Sequence, residues 1–98
     1  MLIGEDDGEA VFDEAAQRAV DQGNALLDKY PDADEWTVAS GVVAGAVQFW
    51  LFSRQPCNDP DCEDCADINT AERRLAKLMA EIREYAIDSD YYHTRHDA

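Results

Sequence analysis

The chain has 98 residues, of which 46% are apolar, and its 22 acidic and 8 basic side chains give a net charge of -14. This length suits one domain with a single modest core, and the apolar content argues against an intrinsically disordered chain. The negative charge repels nucleic-acid phosphates and anionic lipid surfaces, so direct binding of DNA or RNA is not expected.

The same charge suits a basic partner protein, including one whose surface normally holds nucleic acid. An acidic nucleic-acid mimic that binds such a partner is therefore one hypothesis. The alternative is that the acidic side chains serve solubility or adaptation to a salty cytoplasm, which requires no partner. The composition favours the second interpretation and leaves the first open.

The amino-terminal residues MLIGEDDGEA lack the basic start and the long apolar segment of a secretory signal. The three cysteines cluster in one stretch of chain, and an odd number of them cannot all pair. Both features favour a reducing, cytoplasmic setting.

A first helix is predicted from Glu9 to Tyr30, after a flexible lead of residues 1–8. Its apolar and small residues recur at intervals of four, three, four, three and four, which is the spacing of one helix face. These positions are Phe12, Ala16, Ala19, Gly23, Leu26 and Tyr30. The small residues among them allow a neighbouring helix to approach closely.

A second helix is predicted from about Ala33 to Ser53. Pro31 ends the first helix because proline lacks an amide proton and disfavours helical geometry in the residue before it. Asp32 can cap the next helix, with Glu35 at the capping-box spacing. A link this short predicts that the two helices form an antiparallel hairpin.

The second predicted helix carries no charge from Trp36 to Phe52. A helix that is apolar on all sides is central in a bundle, buried by oligomerisation or inserted in a membrane. Seventeen residues fall short of the roughly 20 that span a bilayer, and Gln48 interrupts them. We therefore expect a soluble core helix that its neighbours cover, and no membrane association.

Gly41 and Gly45 lie four residues apart, so they share one face of this helix. Glycines at this spacing permit close contact with another helix. Three short helices leave part of the apolar surface uncovered. We therefore predict a homodimer whose interface includes the Gly41–Gly45 face.

The segment from Arg54 to Ile68, here called the cysteine loop, breaks all periodicity with two prolines and five acidic residues. A third helix is then predicted from about Thr70 to Asp88, with Asn69 as its cap and Glu72 three residues later. Its apolar stripe comprises Leu75, Leu78, Ile82 and Tyr85. Residues 89–98 have no apolar period and are predicted to be a flexible tail.

No strand is predicted anywhere in the chain. The predicted fold is an all-α domain spanning residues 1–98, a three-helix up-down-up bundle with the cysteine loop between helices 2 and 3. Dimerisation is expected to complete its core.

Cys57, Cys62 and Cys65 form a Cys-x4-Cys-x2-Cys pattern. This is the one group of residues in the sequence whose spacing suggests metal binding or redox chemistry. Cysteines two residues apart in a turn can bind the same ion, and a third in the same loop adds a thiolate at little entropic cost. Zinc is the default ion for such a set. Acidic residues in the loop are candidates for an oxygen ligand, namely Asp59, Asp61, Glu63, Asp64 and Asp67.

His93 and His96 are the other candidates for a fourth ligand, but they follow the far end of the third helix. A helix of this length separates its two ends by roughly 28 Å. The five residues from Asp88 to His93 extend only about 17 Å. We therefore expect that His93 cannot reach its own cysteine loop and that His96 barely could, whereas either could reach the loop of a second subunit.

Two other interpretations of the loop remain open. The three thiols can be reduced and metal-free, or Cys62 and Cys65 can form a redox-active pair. Nearby carboxylates should raise the pKa of that pair, which disfavours dithiol catalysis. No serine, histidine and acid form a recognisable nucleophile motif, and no glycine-rich phosphate loop is present.

The sequence therefore predicts a non-enzymatic interaction or accessory protein with a structural zinc site. An acidic mimic that binds a basic partner, or a thiol or metal redox protein, is the alternative.

Overall fold

The computed structural model describes residues 6–59 and 61–94, and within these it contains three α-helices and no strand. This confirms the predicted all-helical class, whereas the up-down-up arrangement stays a prediction. The helices are α1 (Asp6–Lys29), α2 (Glu35–Ser53) and α3 (Ala71–Asp88), and a short 3-10 turn spans Glu63–Cys65.

The chain divides into two compact units, residues 1–47 and 48–98. The boundary falls inside α2, which is helical on both sides of it. The first unit holds α1 and the amino-terminal part of α2. The second holds the end of α2, the cysteine loop and α3, so all three cysteines belong to one unit.

In the first unit, α1 and α2 approach each other at a glycine. A Cβ atom added to Gly23 would lie 4.0 Å from Cγ2 of Val42, an ordinary van der Waals distance. This agrees with the expectation that the small residues of the first helix admit a neighbour. The helix itself begins at Asp6, three residues before the predicted start at Glu9.

The start of α2 corrects the prediction that Asp32 is its cap. Asp34 stands immediately before the helix, and its carboxylate accepts hydrogen bonds from the Trp36 amide and the Thr37 hydroxyl, both at 3.3 Å. A side chain in this position satisfies an amide that has no partner inside the helix. The helix therefore begins at Glu35, two residues later than predicted.

The predicted burial of the second helix is not observed, because no residue of α2 is buried. Trp36 is 82% exposed, and Phe49 and Phe52 are each 73% exposed. A helix that is apolar on every side needs neighbours on every side, and two other short helices supply too few. The helix therefore exposes large apolar side chains in the single chain.

Among the described residues, α2 is the one helix whose length and composition would allow it to cross a membrane. Its 19 residues extend about 28 Å, close to the thickness of a bilayer's hydrocarbon core. Core helices of soluble proteins meet the same criterion, but they are mostly buried, whereas this one is not.

The third helix starts one residue later than predicted, with Thr70 rather than Asn69 as its cap. The Thr70 hydroxyl accepts a hydrogen bond from the Arg73 amide at 3.1 Å. Leu78 lies in the middle of α3 and is 6% exposed, the one buried apolar side chain among the described residues. The buried core of the described part of the second unit is therefore this single residue of α3.

Candidate metal centre

The cysteine loop is built from consecutive tight turns. The Cys62 amide donates to the Asp59 carbonyl at 3.2 Å, the Cys65 amide to the Cys62 carbonyl at 3.3 Å, and the Ile68 amide to the Cys65 carbonyl at 3.0 Å. These bonds each span three residues and fold the loop tightly, so Cys57 and Cys65 lie close together. No described residue of the loop is buried.

These turns bring together the three sulfur atoms of Cys57, Cys62 and Cys65, here called the cysteine cluster. All three sulfurs lie within 4.8 Å of one another, and the Sγ atoms of Cys57 and Cys65 are 3.6 Å apart. Two thiolates on one tetrahedral zinc ion, each about 2.3 Å from the metal, are about 3.8 Å apart. The cluster therefore has a geometry that could hold a metal ion.

A backbone amide points at the cluster from within the loop. The N–H of Cys57 donates to Sγ of Cys65 at 3.4 Å. Such a bond stabilises negative charge on sulfur, as partners of metal ligands commonly do. The sequence gives no signal for it, because it depends on the backbone direction at Cys57.

The thiols of Cys57 and Cys65 have pKa values shifted in opposite directions. Backbone hydrogen bonding at Asp59, followed by contacts with the thiols of Cys62 and Cys65, lowers the pKa of Cys57. The Cys57 amide lowers the pKa of Cys65, but hydrogen bonds with the Cys57 and Cys62 thiols outweigh it, so the pKa of Cys65 is raised. The expected rise in pKa is thus seen for Cys65, although sulfur contacts cause it rather than carboxylates.

Two arginines of α3 form hydrogen bonds with the carboxyl end of the loop and with Asn69 beside it. Nη1 of Arg73 donates to the Ala66 carbonyl at 2.7 Å and to Oδ1 of Asn69 at 3.2 Å, and Nη1 of Arg74 donates to the Ile68 carbonyl at 3.0 Å. Arginine is unfavourable in the first turn of a helix, where the macrodipole is positive. The unusual position of Arg73 and Arg74 at the start of a helix was therefore the sequence signal that could have indicated their contacts with the loop.

The loop carboxylates do not complete the cluster. Among the described residues, no carboxylate or imidazole shares the space of the three sulfurs. Asp59 instead accepts a hydrogen bond from the Asp61 amide at 2.9 Å, which supports the turn before Cys62. The oxygen ligand expected from the sequence is therefore absent from the described loop.

His93 lies at the opposite end of α3 from the loop. Its Nε2 atom is 2.7 Å from the Ile87 carbonyl, in the last turn of that helix. The 18 residues of α3 extend about 27 Å. His93 is thus outside the cluster, as the reach argument predicted, while His96 lies outside the described residues.

Comparisons with protein-family models, with curated proteins and with solved structures find no match to this chain.

Proposed function

We propose that this protein binds zinc through Cys57, Cys62 and Cys65 and that the ion has a structural role in a non-enzymatic accessory protein. The observation that supports this most is the convergence of three sulfurs within 4.8 Å in a loop that has no buried residue among those described. Three thiolates form the greater part of a structural zinc site. The fourth ligand comes from outside the described loop, and a histidine of a second subunit is the candidate.

A structural role follows from the composition of the loop. The described residues between α2 and α3 bury no apolar side chain, so packing offers little to offset the entropy of ordering them. A metal ion bound by three loop residues supplies the missing stabilisation, because binding energy at such a site is folding energy. The hydrogen bonds from Arg73 and Arg74 then connect the ordered loop to α3.

Cobalt substitution tests the ligand set directly. Co²⁺ replaces zinc in thiolate sites and gives sulfur-to-metal charge-transfer absorption that grows with the number of thiolates. We expect this absorption in the wild-type protein and weaker absorption in each of C57S, C62S and C65S. Addition of Zn²⁺ to the cobalt-loaded wild-type protein should displace the cobalt and abolish the absorption.

The matched control is D64N, which alters a loop carboxylate that does not belong to the cluster. Its cobalt spectrum should equal that of the wild-type protein. Unchanged spectra in the three serine variants would show that the ion binds elsewhere, and the proposal would then be wrong.

We further propose that the protein is a homodimer through the face of α2 that carries Gly41 and Gly45. An added Cβ atom at either glycine would meet nothing within 4 Å, so each has open space beside it in the single chain. Val43, between them in sequence, is 57% exposed. A second copy of α2 would bury this surface, which carries no charge despite the net charge of -14.

A further inference from the structure

We propose that Cys57 and Cys65 are a peroxide-reactive pair: Cys57 attacks a hydroperoxide, and Cys65 then closes a disulfide with it. The inference concerns the same loop as the proposed zinc site, but it does not require a metal. It also names a pair that differs from the Cys62–Cys65 pair that the sequence spacing suggests.

The geometry of the reduced loop favours this pair. The Cys65 thiol is hydrogen-bonded to Sγ of Cys57 at 3.6 Å, and the Cys57 amide donates to Sγ of Cys65 at 3.4 Å. Two independent contacts thus hold the residues together across eight positions of sequence. Only a small further approach of the two sulfurs is required for a disulfide, whose S–S bond is about 2.05 Å long.

Cys62 and Cys65 are differently placed. Cys62 precedes the 3-10 turn and Cys65 ends it, and the bond between them joins the Cys65 amide to the Cys62 carbonyl. That bond holds the backbone of the turn. The Cys62 sulfur lies within 4.8 Å of the other two sulfurs and contacts both thiols, but Cys57 and Cys65 have in addition the amide–sulfur hydrogen bond at 3.4 Å. These two contacts assign the disulfide to Cys57 and Cys65, which leaves Cys62 reduced.

The solvent exposure of the two cysteines indicates which one reacts with the hydroperoxide and which one then closes the disulfide. Cys57 is exposed, whereas Cys65 is half-buried in the turn. A hydroperoxide in solution therefore reaches Cys57 first. Reactive cysteines of this kind are commonly accessible and adjacent to a resolving cysteine.

The reaction balances with the hydroperoxide as the oxidant. The Cys57 sulfur attacks the terminal oxygen, the O–O bond breaks, and the thiol proton leaves with the alcohol or water product, which yields a sulfenic acid. The Cys65 sulfur then attacks the Cys57 sulfur, an S–S bond forms, the S–O bond breaks, and the hydroxide leaves as water with the Cys65 proton. Two thiols lose two electrons, and the hydroperoxide gains them.

Disulfide formation removes two of the three thiolates of the cysteine cluster, and a single remaining cysteine cannot hold zinc. The oxidised loop and the metal-bound loop are therefore mutually exclusive. If both proposals hold, hydroperoxide releases the ion from the protein.

The test uses the full chain, reduced and freed of metal with a chelator, and then treated with hydrogen peroxide. Mass spectrometry should show the loss of about 2 Da per chain, as expected for one disulfide, and peptide mapping should join Cys57 to Cys65. The C62S variant should form the same disulfide, because neither sulfur of that bond comes from Cys62. C57S and C65S should not form it, and circular dichroism should show that both retain wild-type helicity.

A Cys62–Cys65 disulfide, an even mixture of pairings or oxidation without any disulfide would overturn the inference. Because the experiment is done without metal, its outcome is independent of zinc binding. A disulfide in a protein that never binds cobalt would contradict only the proposed function. Cobalt binding without the disulfide would contradict only this inference.

Discussion

The indole nitrogen of Trp50 donates a hydrogen bond to Oε2 of Glu81 at 3.2 Å, which joins the end of α2 to α3. The same carboxylate accepts a hydrogen bond from the Tyr85 hydroxyl at 2.8 Å and lies 3.6 Å from the Arg54 guanidinium. Arg54 also lies over the Trp50 ring, 4.3 Å from its centroid. Glu81 thus connects the two helices that flank the cysteine loop.

The E81A variant should lower the free energy of unfolding by about 1–2 kcal/mol, because two hydrogen bonds to a charged, half-buried group are lost. The ion pair with Arg54 adds little, since both side chains are partly exposed. Urea unfolding followed by circular dichroism measures the difference. E84A is the control, because Glu84 is an exposed glutamate on the same helix and gains the same alanine helix propensity.

A loss of stability equal in E81A and E84A would contradict the role given to Glu81. It would mean that the change in helix charge, and not the loss of these contacts, accounts for the effect.

Tyr85 should titrate at a higher pH than a free tyrosine. Its hydrogen bond to Glu81 raises its pKa most, followed by partial burial and the charges of Glu81 and Glu84. Because the folded-state pKa is raised, the contribution to stability is present below the ordinary pKa of tyrosine and is lost as the pH rises through the raised value. Ultraviolet absorbance of the phenolate, taken as the difference between wild type and Y85F, measures this pKa.

In the E81Q variant the pKa of Tyr85 should move back toward its ordinary value, because the negative acceptor becomes neutral. E84Q should have a smaller effect, since Glu84 acts on Tyr85 through charge alone. An equal effect of both substitutions would mean that the hydrogen bond is not the main cause.

The wild-type protein should have twice the mass of the 11.0 kDa chain in size-exclusion chromatography with light scattering. The double variant G41L/G45L should be monomeric, because side chains at these positions prevent close contact between two α2 helices. The substitutions should not disrupt the helix itself, since leucine has a higher helix propensity than glycine. G8L is the control, because Gly8 also has open space around it but lies on α1.

A wild-type monomer, or a dimer that survives in G41L/G45L, would rule out this interface. Partition of the wild-type protein into neutral liposomes would instead assign the exposed surface of α2 to a membrane.

The sequence predicted the helices well because their periodicity is a local property. The caps were less predictable: Asp32 and Asp34, like Asn69 and Thr70, are neighbouring candidates, and the backbone conformation decides between them. The exposure of Trp36 depends on how many other elements pack against α2. The pattern of apolar residues along the sequence does not give that number.

For the candidate site, too, the sequence predicted what depends on residue spacing but not what depends on the turns of the backbone. The spacing of Cys57, Cys62 and Cys65 predicted that the three thiols could share an ion. The spacing also made Cys62 and Cys65 the natural pair, whereas the turns of the loop place Cys57 against Cys65. The position of His93 outside the cysteine cluster was predictable, because it depends only on the length of α3 and on how far the residues after this helix can extend.

The central claim is that the three cysteines hold zinc, and elemental analysis of the gently purified protein tests it most directly. We predict about one zinc ion per chain in the wild-type protein and in D64N, as expected for a mononuclear site, and no zinc in the triple variant C57S/C62S/C65S. A wild-type protein that is fully folded and free of metal would contradict the claim.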